Sequence, residues 1–201
     1  VSASAPTYWI LAKIQEIGFP GFFIEGIFFW ILLVVSGFSV YFLTLELFPR
    51  MKSTLNLFPV IFYWFNPFVL VNIWNRFLYN YMVFFALLPL VLVLFIKGLK
   101  RADYRYAIFL GLATGVFSYA LTSMAFNILL WLVLGYTALF NIFTAKKTEV
   151  KFFVIKFFSL AFILYTLINF WWITQVVAFV SSQAFGRVIS SFFTQAGNVS
   201  T

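Results

Sequence analysis

Charged residues in this chain are confined to short segments, and long apolar stretches separate them. Residues 106–143, for example, are 38 consecutive residues without a charge. Only 9% of the 201 residues are charged and the mean hydropathy is +1.04, whereas about a quarter of the residues in a soluble domain are charged. About 20 consecutive apolar residues suffice for a helix to cross a bilayer. The sequence therefore predicts an all-α polytopic integral membrane protein.

The apolar stretches predict a single transmembrane domain with about six spans in residues 22–180. An outer loop, residues 1–21, precedes them, and a polar outer tail, residues 181–201, follows them and carries a glycosylation sequon at Asn198. Residues 8–17 are too few to cross a bilayer and begin with aromatic side chains, which predicts an interfacial helix. The expected spans are residues 22–48, 55–71, 78–96, two short spans within 106–143 that turn near Thr122 and Ser123, and residues 152–180.

The second span is predicted to be broken at Asn66-Pro67. Proline disfavours the helical conformation in the residue before it. The first half of this span, residues 55–65, would be only about 16 Å long as a helix, which is about half of the hydrocarbon thickness of a bilayer. Asn66 can cap a new short helix that has Pro67 at its first position.

The distribution of basic residues predicts the orientation in the plasma membrane. With six spans, Lys13, Arg76 and Arg187 fall on one side and the other ten basic residues fall on the opposite side. Because the basic side of a multi-pass protein faces the cytoplasm, both ends of the chain and residues 66–80 are expected outside. A chain that starts outside without a signal sequence is expected to be an internal fragment, completed by missing parts of the same protein or by partner subunits. The ten basic residues expected on the cytoplasmic side are Arg50, Lys52, Lys97, Lys100, Arg101, Arg105, Lys146, Lys147, Lys151 and Lys156.

Polar residues between positions 66 and 80 suggest a binding site. Asn72, Arg76 and Asn80 are spaced i, i+4, i+8, so a continuous helix would place them in one stripe beyond Asn66. A guanidinium group beside amides suits a phosphate or a sugar hydroxyl, and Arg187 could supply a second phosphate contact. Alternatively, Arg76 reaches lipid headgroups and the asparagines cap short helices.

The last span carries a second polar and aromatic group in its outer half. Asn169 and Trp172 are spaced to share one helix face, and Gln175 lies on another face together with Trp171. Flat aromatic rings pack well on sugars and lipids. Alternatively, the paired tryptophans belong to an aromatic belt at the membrane interface.

Few residues could perform acid–base or metal chemistry. Glu25 and Glu16 are the acids expected on the outer side, and each could act as a base or only end a helix. Glu46 is expected to pair with Arg50, four residues later. The chain has no histidine and no cysteine, and its acids are too sparse for a metal site. No nucleotide-binding loop or cofactor motif is present, and the basic loops set topology rather than binding nucleic acid.

Three short motifs together resemble the membrane module of C-type (GT-C) glycosyltransferases, in particular the arabinofuranosyltransferase-like proteins. They are YWFNPF at residues 63–68, LLPL at 87–90 and NFWW at 169–172. The shared module has seven spans and interfacial helices in its first outer loop. The resemblance implies that this chain starts inside that loop, covers spans two to seven, and lacks the acidic catalytic residue, which lies upstream of Val1.

By this resemblance, the chain is part of an enzyme that transfers a sugar from a polyprenyl-phosphate donor on the outer face to a glycan or protein acceptor. Its partners would be membrane lipids and the lipid-linked sugar. Two alternatives belong to other classes. One is a secondary transporter with a substrate site at the broken helix, and the other is a non-catalytic assembly subunit whose polar stripe packs on a partner helix.

Overall fold

A computed structural model describes residues 4–50, 52–75 and 78–182. Within these ranges the chain forms helices and no strand, which confirms the predicted all-α class. Short 3₁₀ turns cover Ser53–Asn56 and Ser118–Thr122, and a π-helical turn covers Leu70–Asn75. The α-helices are α1 (Ala5–Glu16), α2 (Gly21–Leu47), α3 (Leu57–Trp64), α4 (Pro67–Val69), α5 (Tyr79–Arg101), α6 (Arg105–Val116), α7 (Met124–Thr144), α8 (Thr148–Ile168) and α9 (Phe170–Ser181).

Four helices in the described part of the chain, α2, α5, α7 and α8, are long and apolar enough to cross a membrane. The predicted second span consists of α3, α4 and the π-helical turn, and the predicted fourth span is α6 with a 3₁₀ turn. At 1.5 Å per residue, α3 and α6 are about 12 and 18 Å long, against about 30 Å of hydrocarbon. The count of six spans therefore stays a prediction.

Contacts between helix termini define two ends of the bundle. Glu46 near the end of α2 meets Lys97 and Lys100 near the end of α5. At the beginning of the same helices, Glu25 interacts with Tyr79. These two helices therefore run parallel. We call the end that carries Lys97 and Lys100 the basic end, and the opposite end, where Tyr8, Tyr79 and Tyr119 lie, the tyrosine end.

Helices α5, α6 and α8 pack closely in the interior, where Phe95, Leu110 and Phe157 are fully buried. Gly98 allows this approach, because a Cβ atom built on it would overlap the ring of Phe157. Helix α7 begins beside the end of α8, where the Tyr165 hydroxyl donates a hydrogen bond to Asn127. It therefore runs antiparallel to α8.

Helix α3 lies against α2 through one tryptophan. A Cβ atom on Gly37 would lie 2.5 Å from the Trp64 ring, so glycine is needed for this contact. The Trp64 indole N–H also donates a 3.0 Å hydrogen bond to the Ser36 hydroxyl. Small residues commonly allow this kind of approach between helices in membranes.

Several predicted boundaries are confirmed. The first span matches α2 to within one residue at each end, and the helix expected at residues 8–17 is α1. The chain turns at Thr122 and Ser123 as expected, where Ser123 is extended between a 3₁₀ turn and α7. Whether α1 lies at a membrane interface stays a prediction.

Two predicted boundaries are wrong. The basic loop expected at residues 97–105 is mostly helical, because α5 continues to Arg101. Cations are favourable in the last turn of a helix, so these lysines extend the helix rather than ending it. The last span, expected as one helix over residues 152–180, is interrupted at Asn169, which separates α8 from α9.

The expected pair of Glu46 with Arg50 is also replaced. Helix α2 ends at Leu47, and Phe48 departs from helical geometry, so Arg50 does not lie one turn further along the same helix. The Glu46 carboxylate instead lies 4.0 Å from the Lys97 ammonium and 3.5 Å from the Lys100 ammonium. It therefore joins α2 to α5.

Candidate functional site

The predicted break at Asn66-Pro67 is confirmed, and the asparagine side chain holds it in place. Asn66 has extended backbone geometry, and its Oδ1 atom accepts a 3.0 Å hydrogen bond from the Val69 N–H. Its Nδ2 group donates a 2.8 Å bond to the Tyr63 carbonyl. Both polar groups of this side chain are thus used within three residues. This matches the capping alternative for Asn66 and leaves it poorly suited to hold a ligand.

The stripe expected from Asn72, Arg76 and Asn80 does not lie on one continuous helix. The π-helical turn ends at Asn75, and α5 begins at Tyr79 after an extended residue, Leu78. The Asn72 carbonyl accepts a 3.2 Å hydrogen bond from the Leu78 N–H. Arg76 and Arg187 lie outside the described residues, so their predicted phosphate contacts stay predictions.

Asn80 lies in the first turn of α5. Its Oδ1 atom accepts a 3.1 Å hydrogen bond from the Tyr81 N–H, while its Nδ2 group has no partner among the described residues. An amide donor at the start of a helix is well placed for an anion. Of the three asparagines at positions 66, 72 and 80, Asn80 therefore has the clearest capacity to bind a ligand.

A tyrosine from α3 supplies the hydrogen bond that a proline in α5 cannot make. Pro89 has no N–H, so it cannot donate to the Phe85 carbonyl four residues earlier. The Tyr63 hydroxyl donates a 2.8 Å hydrogen bond to that carbonyl. The two rings of Tyr63 and Phe85 also stack, with centroids 4.1 Å apart. The half-helix before the break is therefore fixed to the middle of α5.

Next to this junction lies a cavity of about 400 Å³, which we call the aromatic groove. Phe84 and Phe126 stack in parallel with centroids 4.3 Å apart, and Tyr81 meets Phe126 edge to face at 4.8 Å. The groove thus has rigid aromatic walls along the first turns of α5 and α7. Its lining includes Tyr63, Asn66, Tyr81, Phe84, Phe126 and Leu129.

Asn169 and Trp172 meet as their spacing predicted, but they are buried in a helix contact. The fully buried Asn169 accepts a 2.9 Å hydrogen bond from the Trp172 indole and donates to the Thr114 hydroxyl at 3.2 Å and the Tyr165 carbonyl at 3.0 Å. Every polar atom of this side chain is engaged, so it joins α6, α8 and α9. Gln175 is exposed on α9, away from this network.

A second cavity, of about 250 Å³, lies at the tyrosine end, and we call it the tyrosine pocket. The hydroxyls of Tyr8 and Tyr119 lie 3.2 Å apart, and their rings meet at 75°. Either hydroxyl can donate to the other, so this pair joins α1 to the 3₁₀ turn before α7. The lining includes Thr7, Tyr8, Glu25, Phe28, Tyr79 and Tyr119.

The two predicted acids differ in their surroundings. Glu16 forms a 2.6 Å ion pair with Lys13 on the exposed side of α1. Glu25 lines the tyrosine pocket and interacts with Tyr79, and no cationic partner is found for it within the described residues. Those residues also contain no cluster of acids that could hold a metal ion.

The predicted residues that the structure describes therefore do not form a single site. Asn66 borders the aromatic groove, Glu25 lines the tyrosine pocket, and Asn169 with Trp172 lies in a helix contact. The tyrosines and phenylalanines of both cavities were not predicted from the sequence. In a chain with 31 Phe and 10 Tyr residues, an aromatic side chain is not a distinguishing signal.

Both cavities adjoin the first turn of α5, where Tyr79 faces the tyrosine pocket and Tyr81 faces the aromatic groove. One cavity is purely aromatic and aliphatic apart from its rim, and the other contains a carboxylate. These lining side chains indicate which kind of ligand each cavity could bind. No family model, no curated protein and no solved structure matches this chain.

Proposed function

We propose that this chain is part of a membrane glycosyltransferase that transfers a sugar from a polyprenyl-phosphate donor on the outer face to a glycan or protein acceptor. The observation that carries the proposal is the aromatic groove. It lies beside the helix break and next to the first turn of α5, which contains Asn80. An isoprenoid chain in the groove would therefore place its phosphate near Asn80, and Arg76 is proposed as a further contact.

The walls of the groove suit an isoprenoid. The stacked rings of Phe84 and Phe126 present a flat, rigid and apolar surface, and a methyl-branched, unsaturated chain packs well on such a surface. Ligand sites of this kind are mostly apolar, with few polar groups that fix orientation. The groove is lined mainly by carbon atoms, and its polar rim residue, Asn66, is already engaged within its own turn.

The phosphate would be held by residues that follow the groove in the chain. The Nδ2 group of Asn80, which has no partner among the described residues, can donate to a phosphate oxygen. A guanidinium such as that of Arg76 has the planar donor geometry that binds phosphate at two points. Arg187 is proposed as a second positive contact. Glu25 lies in the other cavity, across the first turn of α5, so it is not proposed to contact this phosphate.

The transporter alternative receives less support from the geometry. It requires the break at Asn66-Pro67 to bind substrate at mid-membrane. Both polar groups of the Asn66 side chain are occupied by Val69 and Tyr63. The break is therefore better explained as part of the wall of the aromatic groove than as a substrate-binding site.

A matched pair of substitutions on α7 tests the proposal. Leu129→Trp places a large side chain in the groove, whereas Leu139→Trp adds the same side chain at an exposed position of α7 outside it. Each substitution would be made in the full-length protein of which this chain is proposed to be part, and that protein would be purified gently from its membrane and examined by native mass spectrometry for bound polyprenyl phosphate. Sugar transfer from a labelled polyprenyl-phosphate donor would be measured in parallel.

We expect Leu129→Trp to lose the bound lipid and at least about 90% of transfer, which corresponds to about 1.4 kcal/mol or more, and Leu139→Trp to retain both. Arg76→Ala should abolish transfer while leaving the protein folded. If the unsubstituted protein retains only bulk phospholipid and transfers no sugar, the proposed glycosyltransferase function is wrong. Unchanged transfer in Arg76→Ala would contradict the phosphate role of that residue.

A further inference from the structure

The tyrosine pocket contains a carboxylate whose charge is not balanced by the described part of the protein. Three of the five acids of the chain, Glu16, Glu25 and Glu46, lie on α1 and α2. Glu16 is paired with Lys13, and Glu46 with two lysines. Glu25 interacts with Tyr79 and shares its cavity with the neutral residues Thr7, Tyr8 and Tyr119, and it forms no ion pair within the part of the chain that the structure describes.

Aromatic rings make up most of the wall around this carboxylate. Tyr8, Tyr79, Tyr119 and Phe28 line the same cavity. The rings of Tyr8 and Tyr119 are held nearly perpendicular by their mutual contact, with centroids 5.6 Å apart. A cation is attracted to the face of such a ring at distances up to about 6 Å. The rings and the carboxylate therefore both favour a positively charged ligand.

We propose that the tyrosine pocket binds an organic ammonium group, with Glu25 as the counter-charge and the tyrosine rings as the walls. The cavity, of about 250 Å³, is large enough for a small head of this type, and none of its described lining residues is cationic. This site is separate from the proposed sugar transfer, because it requires neither the aromatic groove nor a phosphate.

A metal ion fits the pocket less well. Calcium takes six to eight oxygen ligands, with several carboxylates or carbonyls among them, whereas the pocket offers one carboxylate and neutral hydroxyls. A phosphate or carboxylate would be repelled by Glu25. A neutral sugar could also pack on tyrosine rings, so the test separates charge from shape.

Choline and its neutral isostere 3,3-dimethyl-1-butanol provide that separation, because they have the same shape and differ in charge. The full chain would be titrated with each in maltoside micelles by saturation-transfer-difference NMR. We expect choline to bind at least about tenfold more tightly than the neutral isostere. Equal binding of the two compounds, or no binding of choline, would overturn the proposal.

Two nearly isosteric substitutions identify the residue that is responsible. Glu25→Gln should weaken choline binding at least about tenfold, and Glu16→Gln, which changes an acid at the same end of the bundle, should leave it unchanged. Circular dichroism would confirm that both variants fold. Undiminished binding in Glu25→Gln, or an equal loss in both variants, would overturn the assignment to Glu25.

The source of the ammonium group can be distinguished in nanodiscs. If phosphatidylethanolamine displaces choline and phosphatidylglycerol does not, the natural ligand is a lipid headgroup. If choline binds equally in both lipids, the ligand is a free amine. Both outcomes support the pocket itself, and neither depends on whether the chain transfers sugar.

Discussion

The two asparagines at helix breaks, Asn66 and Asn169, use the same side chain in opposite ways. Asn66 bonds only to backbone groups three residues away. Asn169 reaches the Thr114 hydroxyl, 55 residues away in sequence, and also bonds to Trp172 and Tyr165. The first break is therefore held locally, while the second is part of the contact between α6, α8 and α9. An asparagine in an apolar stretch can thus be a cap or a tertiary connector.

The difference also explains which break was predictable. A proline directly after Asn66 restricts the backbone, so the first break can be predicted from adjacent residues. Nothing adjacent to Asn169 forbids a continuous helix, and its partner on α6 is far away in the sequence. The second break depends on tertiary contacts, which short-range patterns do not contain.

The largest expected effect belongs to Asn169→Ala. This substitution leaves the Trp172 indole without its acceptor and the Thr114 hydroxyl without its donor in a buried site. We expect the free energy of unfolding to fall by about 1–3 kcal/mol, measured by reversible SDS titration in mixed micelles.

The matched control for this prediction is Asn141→Ala. Asn141 is half-buried, and its Nδ2 group donates to the Thr137 carbonyl within its own helix, α7. Asn141→Ala should lower the free energy of unfolding clearly less than Asn169→Ala does. Equal costs for the two substitutions would show that the long-range bonds of Asn169 add nothing.

An intermediate effect is expected at Tyr63, whose hydroxyl joins α3 to α5. Tyr63→Phe leaves the Phe85 carbonyl without its donor and should lower the free energy of unfolding by about 1.5 kcal/mol in the same titration. In a Pro89→Ala background, the substituted residue supplies a backbone N–H to that carbonyl, so Tyr63→Phe should cost less than half as much. A double-mutant cycle measures this coupling, and identical costs in both backgrounds would remove Tyr63 as the substitute donor.

The smallest effect is expected at Asn66, because its bonds are local. Asn66→Ala should lower the free energy of unfolding by about 1 kcal/mol, the usual cost of losing an N-cap, and Asn66→Ser should recover most of it. SDS titration of the two variants measures both values. If Asn66→Ala proves as costly as Asn169→Ala, the proposed distinction between a local and a long-range break is wrong.

The fold was predictable where apolar length and local backbone chemistry decide it. The first span, the break at Asn66 and the turn at Thr122 all follow from such signals. The end of α5 was not, because the lysines that suggested a loop extend the helix and meet Glu46 on α2. Pairing between distant helices decides that boundary.

The candidate sites were predictable only for their polar members. Glu25 stood out as an acid in an apolar stretch, and it does line a cavity. Its neighbours Tyr8 and Tyr119 are 111 positions apart in the chain and meet only through the packing of α1 against the 3₁₀ turn before α7. No spacing rule relates them.

The contact between Tyr63 and Phe85 has a consequence for biosynthesis. A ribosome releases the chain from its amino terminus, so Tyr63 has emerged before Phe85 and Pro89 are made. When Pro89 leaves the Phe85 carbonyl without an amide donor, the hydroxyl that replaces it is already present. In a circular permutant that places α5 ahead of α3, the Phe85 carbonyl would have no donor until Tyr63 is synthesised. The order of these two segments along the chain thus favours co-translational assembly.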